Sequence, residues 1–164
     1  MSTRTQCGFG RIRTILFGGV LLAALDVAFA ALFVTEIVTP SLGTVFSGAI
    51  GRQFILNTDE TVSGANAADH LFGAVSGQLD VRKTQGPGSA NITADNFVGF
   101  DGVTINAVPC RWHDQPQTTC DAPGITGALQ ATRTLYIGVD INTTVAHIGG
   151  DMASATYDIT VTVL

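Results

Sequence analysis

Two closely spaced cysteines carry the most specific chemical signal in the sequence. Cys110 and Cys120 flank a segment that contains Trp112 and His113. In an oxidising compartment, an even pair at this spacing predicts a disulfide bond that closes a loop of about ten residues. The alternative is a metal site, because Cys110 and His113 have ligand-like spacing. Only three such ligands are available here and no second Cys-x-x-Cys or His pair is present, so we expect a disulfide and no metal.

The remaining acids, bases and nucleophiles show no catalytic pattern. His70 follows Asp69 and His113 precedes Asp114, but neighbouring side chains of a strand point to opposite faces. The sequence contains no Gly-x-Ser-x-Gly elbow, no phosphate-binding loop and no calcium-loop motif. Most acidic residues lie in turn-like segments, where Asp accepts hydrogen bonds from nearby amides. We therefore predict no catalytic residue, no cofactor and no small-molecule substrate, and we expect the histidines to lie at the surface.

Composition limits the class of protein and its partners. The chain has 164 residues, of which 46% are apolar and 13% are charged. This apolar content predicts one domain with a core and argues against disorder. Thirteen acidic and eight basic residues give a net charge of −5, with a single lysine. Phosphate backbones require clustered Lys and Arg, so a nucleic-acid partner is not expected.

The first 30 residues have the three parts of a secretory signal peptide. These parts are a basic start, an apolar run over residues 14–25 and a small-x-small pattern at residues 28–30. Together they predict a cleaved signal peptide, with cleavage between Ala30 and Ala31. The alternative is an uncleaved anchor over residues 14–34. Asp26 argues against it, because a carboxylate in lipid costs ~2.5–3.5 kcal/mol.

Removal of this leader leaves residues 31–164 with five basic and twelve acidic residues and two cysteines. A net charge of −7 argues against binding to anionic surfaces, including membranes, except through the leader. We therefore expect a secreted protein, at the cell surface or in the periplasm of a Gram-negative-type bacterium.

Alternation of apolar and polar residues predicts the elements of this domain. It is clearest over residues 129–141 and 155–163, which we predict to be strands with one face on a core. Weaker candidates are Leu32–Val38, 53–57, Gly77–Lys83, 91–95 and 97–108, the last interrupted by a predicted hairpin turn at Asp101-Gly102. The best helical candidate, 65–74, is weakened by Gly64 and Gly73. About seven strands without helices predict an all-β fold, an antiparallel two-sheet sandwich formed by residues 31–164 as a single domain.

Four segments carry a resemblance to a known family. They lie at residues 54–57, 77–81 and 97–110 and at the C-terminal Ala-Thr-Tyr step with alternating Thr and Val, 155–163. Over most of residues 42–164 the chain resembles an uncharacterised family of exported bacterial domains (domain of unknown function four thousand four hundred and two). More distantly it is similar to the spore-coat-U and archaic chaperone–usher pilin group.

The resemblance implies an immunoglobulin/pilin-like sandwich with a structural, non-enzymatic role in a surface fibre or pilus. In that group a neighbour's N-terminal segment completes the sandwich by strand addition, so the expected partners are copies of this chain or other surface subunits. The candidate donor strand comprises Leu32, Phe33, Val34, Ile37 and Val38. The alternative is that residues 31–39 form the sandwich's own first strand, which explains the same alternation without a partner.

A second functional hypothesis remains open beside the fibre subunit. The domain can instead be a monomeric secreted module that binds a sugar or a protein through exposed aromatic side chains. Trp112, in the segment between the two cysteines, is the candidate contact for such a module.

Overall fold

The computed structural model describes residues 32–164 except 47, 85, 130–131 and 148–151. The predicted signal peptide, 1–30, and its cleavage site between Ala30 and Ala31 lie outside the described residues. None of the helices in the described part of the chain is long and apolar enough to cross a membrane.

The predicted all-β fold is confirmed. The described residues form fourteen strands and one 3₁₀ turn, Ala67–Asp69. The strands are β1 Leu32–Val38, β2 Thr44–Val45, β3 Gln53–Leu56, β4 Val62–Ser63, β5 His70–Phe72, β6 Gly77–Lys83, β7 Gly88–Phe100, β8 Val103–Ala107, β9 Pro109–Trp112, β10 Thr118–Thr119, β11 Ile125–Leu129, β12 Arg133–Ile137, β13 Val139–Thr143 and β14 Ser154–Val163. The segment 65–74, the best helical candidate, forms only the 3₁₀ turn before β5 begins.

Two antiparallel sheets enclose the main core. One has the strand order β1-β6-β12-β9-β10 and the other β11-β7-β14. Alternate residues of their strands point inward, so that Leu79 and Val81 of β6, Leu135 of β12 and Ile92 of β7 are fully buried in one cluster. Complete burial of such a side chain contributes roughly 1.5–3 kcal/mol. The apolar residues that alternate in the sequence are therefore the ones that form the core of the sandwich.

The four-stranded sheet β4-β3-β13-β8 continues the five-stranded sheet around a bend. Ile137 of β12 pairs with Cys110 of β9, and three residues further Asp140 of β13 pairs with Ala107 of β8. The register is therefore unbroken across Gly138, whose amide donates to the carbonyl oxygen of Pro109 at 2.7 Å. A side chain at Gly138 would collide with the backbone of β3, so glycine is required where the chain passes from β12 to β13.

Two sequence-based predictions of strand organisation were wrong. Residues 129–141 are not one strand: they are divided among β11, β12 and β13, which belong to three different sheets. Asp101 and Gly102 do form a turn with positive φ, 54° and 81°. However, β7 pairs with β14 out to Phe100 while β8 pairs with β13, so the turn passes the chain between sheets and does not close the predicted hairpin.

The two sheets approach closely where Trp112 of β9 lies against Gly127 of β11. Trp112 is 2% exposed, and a Cβ at Gly127 would overlap the indole ring. We expect Gly127→Ala to destabilise the fold by about 1–3 kcal/mol, because the added methyl overpacks a full core. Urea unfolding measures the change. Gly48→Ala is the matched control and should stay within about 0.5 kcal/mol, since its new Cβ would make only ordinary contacts. Equal effects of the two substitutions would contradict this packing.

Candidate functional site

The candidate donor strand is paired within its own chain. β1 lies at the edge of the five-stranded sheet and pairs antiparallel with β6, from Leu32 opposite Lys83 to Val38 opposite Gln78. A bulge at Ile37 interrupts an otherwise regular register. In this structure, residues 32–38 are thus the first strand of the protein's own sandwich.

The side chains of β1 divide between two faces. Leu32 and Val34 are partly buried and pack against the main core, and Val38 is also partly buried. Phe33 and Ile37 face the other way and are 53% and 55% exposed. With Thr35 and parts of β6 they line an open depression on the outer face of the sheet. Inward apolar groups on alternate positions are the geometry that an added strand requires.

Buried residues of both sheets lie next to β1. Leu79 and Val81 of β6 belong to the main core cluster, against which Val161 of β14 packs and which includes Tyr157 of β14, and these side chains would line a groove if β1 were withdrawn. The Tyr157 ring is 4% exposed, and its hydroxyl has no hydrogen-bond partner among the described residues. Burial raises the pKa of Tyr157 well above its usual value, and the negative charge of Glu36 on β1 raises the pKa further. The edge strands β1 and β14 both contribute side chains to the main core cluster or pack against it.

A short segment fastens β1 to the rest of the fold. Pro40 packs so closely on Gly77, at the start of β6, that a Cβ at Gly77 would lie 2.8 Å from the proline ring. Ser41 and Val75 exchange two backbone hydrogen bonds, each 2.8 Å long. Noncovalent contacts alone therefore hold β1 and its connection in place.

The opposite edge of the same sheet is held covalently. Cys110 and Cys120 form the predicted disulfide, with a Cα–Cα distance of 5.7 Å, and both residues are fully buried. The bond joins β9 to the residue that follows β10. A disulfide fits an oxidising compartment outside the cytoplasm.

The structure corrects the proposed role of Trp112. A contact residue of a binding module needs an exposed ring, whereas Trp112 ends strand β9 and is buried against β11. Its side chain contributes to the core and leaves no surface for a ligand.

Other ionisable groups serve the fold locally. Asp59 accepts hydrogen bonds from the hydroxyl and the amide of Thr61, at 2.6 and 3.1 Å, and these bonds lower its pKa. Arg52 and Asp69 form an ion pair. Among the described residues, no three His, Cys, Asp or Glu side chains are grouped so as to hold a metal ion.

Sequence analysis missed a polar network on the four-stranded sheet. Asp140 accepts hydrogen bonds from Gln53 at 3.1 Å and from Asn106 at 3.0 Å, and Asn142 donates to Asn106 at 3.3 Å. The network crosses β3, β13 and β8. The alternating polar residues 140 and 142 were its only trace in the sequence, and pairing with β3 and β8 could not be inferred from them.

These features define a disulfide-bonded, all-β sandwich whose N-terminal strand occupies a sheet edge. No protein-family model matches the chain, and no curated protein or solved structure matches it either.

The environment of Tyr157 predicts the alkaline behaviour of the protein. A raised pKa means that the folded state keeps the phenol proton where the unfolded chain, with a pKa of about 10, has lost it. Stability is thus fully present below about pH 10 and falls as the pH rises further. Urea unfolding between pH 8 and 11 should show this fall, and Tyr157→Phe should remove it.

The same substitution tests the unpartnered hydroxyl. Because its removal leaves no partner unsatisfied, Tyr157→Phe should leave the free energy of unfolding at pH 7 unchanged or raise it by up to about 1 kcal/mol. Tyr136→Phe is the control, and it should retain the alkaline dependence. A loss of more than about 1 kcal/mol in Tyr157→Phe at pH 7 would show that the hydroxyl is bonded.

The disulfide predicts a second loss of stability. Replacing both cysteines, Cys110→Ala with Cys120→Ala, should lower the free energy of unfolding by about 2.5–3 kcal/mol, since a loop of about ten residues is no longer closed in the unfolded chain. Urea unfolding with and without reductant measures it. Reductant should leave the double variant unchanged, and the same response in both proteins would argue against the bond.

Proposed function

We propose that this protein is an exported, non-enzymatic structural subunit of a bacterial cell-surface fibre or pilus that assembles by strand addition. In the assembly, β1 of one copy would occupy the place on β6 of the next copy that its own β1 fills here. The supporting observation is the position of β1. It is the N-terminal strand of the described domain, it lies at a sheet edge, and it pairs with β6 alone while Leu32 and Val34 enter the core.

Strand exchange costs little in contact energy. The pairs formed with β6 and the burial of Leu32 and Val34 are the same whether β1 comes from the same chain or another. The two arrangements differ in the connection through Pro40 and in the effective concentration of β1. For a β1 joined to its own sandwich by a short tether, that concentration is in the millimolar range. A single chain therefore closes on itself when dilute, and exchange requires crowded subunits or an assembly machinery. Such exchange fits secretion to the cell surface or periplasm, after removal of the leader at Ala30.

The rest of the sandwich suits a subunit whose first strand moves. The Cys110–Cys120 bond fixes the far edge of the five-stranded sheet. β14, which faces the groove from the other sheet, is held by a long ladder from Ser154 opposite Phe100 to Val163 opposite Ala90. When β1 leaves, these elements keep the groove in shape for its replacement.

A covalent lock between β1 and β6 tests this proposal. Phe33 and Arg82 are paired and do not enter the core, so Phe33→Cys with Arg82→Cys can form a disulfide that holds β1 in its own chain. We expect residues 31–164 to form polymers at high concentration, visible by electron microscopy. The oxidised double variant should form no polymers, because its β1 cannot exchange.

The two single-cysteine variants serve as controls and should polymerise as the unsubstituted protein does. Mild reduction of the double variant should restore polymers, since the buried Cys110–Cys120 bond is shielded. Polymers formed equally well by the locked protein would contradict strand exchange. A protein that stays monomeric at every concentration and forms no complex with another surface subunit would contradict the fibre role.

The polar network on the four-stranded sheet favours a second candidate, a monomeric secreted module that binds a sugar. Planar amide and carboxylate groups can bond to the hydroxyls of a saccharide. Asn106 is exposed, and Asn106→Ala would remove one such group without disturbing the core. Binding of saccharides to the monomer, at least tenfold weaker in Asn106→Ala, would favour this function over the fibre.

A further inference from the structure

We propose that the outer edge of β1 pairs with the same edge of β1 in a second copy of this chain, antiparallel and about a two-fold axis at Thr35. The two five-stranded sheets would then join into one continuous sheet. This pairing is independent of strand exchange, because exchange uses the edge of β1 that faces β6 and the pairing uses the edge that faces away.

The outer edge of β1 has backbone groups that no described strand pairs. In the sheet order, β6 is the only neighbour of β1. Edge strands are usually protected by shortness, by Lys or Pro within the strand, or by bulges. β1 has seven residues with no Lys, Arg or Pro, and its bulge at Ile37 leaves residues 32–36 regular. The edges formed by β4 and β10 are only two residues long.

The sequence of β1 is complementary to itself. With Thr35 on the two-fold axis, Phe33 of one copy lies opposite the bulged residue Ile37 of the other, whose side chain shares the outer face with Phe33. The pair therefore occurs twice in the dimer. Both side chains line one depression and are about half exposed in the single chain. Cross-strand pairs of an aromatic with a β-branched residue stabilise a sheet, so pairing the edges buries the two exposed large apolar side chains of the strand.

The remaining side chains of β1 also accept this arrangement. Glu36 would face Val34 of the second copy, so that the two Glu36 carboxylates do not oppose each other directly. Glu36 is exposed and bonded to the hydroxyl of Thr39 at 2.7 Å, which keeps its charge in water. One charge per copy therefore stays solvated while the apolar pairs form.

The size of the contact predicts a weak dimer. Seven residues of backbone and two pairs of large side chains lie at the small end of specific interfaces, below about 1,200 Å² in total. We expect rapid exchange between monomer and dimer. Strand exchange through the groove, by contrast, requires β1 to leave β6 and equilibrates slowly.

Substitution at the two-fold axis tests the pairing. Thr35→Lys places two ammonium groups face to face and leaves Leu32 and Val34 in the core. Sedimentation velocity on residues 31–164 should show dimerisation weakened at least tenfold, which corresponds to about 1.4 kcal/mol. Thr160→Lys is the matched control: an exposed threonine on the edge strand β14, at which we expect no more than a twofold change.

A cysteine at the same position gives a second measurement. Thr35→Cys should cross-link to a dimer under mild oxidation much faster than Thr160→Cys, because the axis brings residue 35 of both copies together. Equal rates, unchanged dimerisation in Thr35→Lys, or a protein that is monomeric up to about 1 mM would overturn the pairing. Slow polymers that persist in Thr35→Lys while its rapid dimerisation is weakened would support a lateral pairing that is separate from strand exchange.

Discussion

Burial of alternate side chains between two facing sheets is the interaction on which the rest of this structure depends. β6 shows it most directly: Gly77, Leu79 and Val81 are buried, and the residues between them are not. Because β6 stands between β1 and β12, its inward residues form both the core and the groove beneath β1. A strand that docks on β6 must therefore present apolar groups at alternate positions, which Leu32 and Val34 do. Two of these inward residues of β6, Leu79 and Val81, pair with β1 and form part of the core. A substitution at one of them should therefore affect both the stability of the core and the docking of β1.

Local periodicity predicted much of the fold, since a half-buried strand shows its inward face in its own sequence. β1 and β6 have the predicted limits to the residue, and β14 differs by one residue at its start. Periodicity does not say which sheet a strand joins, because pairing depends on residues far away in the chain. Residues 129–141 kept their alternation across Gly138, although the chain turns there from one sheet to the next. The glycine within an apolar alternation was the available sign of that bend.

The candidate site was predicted in part for the same reason. The disulfide could be inferred from the spacing of the two cysteines and from the expected oxidising compartment. The burial of Cys110 also indicates that Trp112 is buried. Residues two apart in a strand share a face, so a buried Cys110 places Trp112 inside as well. Treating the segment between the cysteines as a loop concealed this relation. The network around Asp140 was beyond sequence analysis, because its partners come from three strands.

The two edges of the five-stranded sheet are held in different ways, and the edge formed by β1 is the one held without a covalent cross-link. At the far edge a disulfide fixes β9 against the chain after β10, and β10 itself is too short to offer a long row of free backbone groups. At the near edge, β1 is held by hydrogen bonds, two inward side chains and the contact of Pro40 with Gly77. In the proposed assembly the inner edge of β1 determines whether a chain closes on itself, and its outer edge, which no described strand pairs, would take a neighbour. Both proposed routes of association therefore pass through one seven-residue strand. Substitutions that face the core should affect the first route and substitutions that face solvent the second, so the alternation that builds the sandwich would also separate the two proposed modes of assembly.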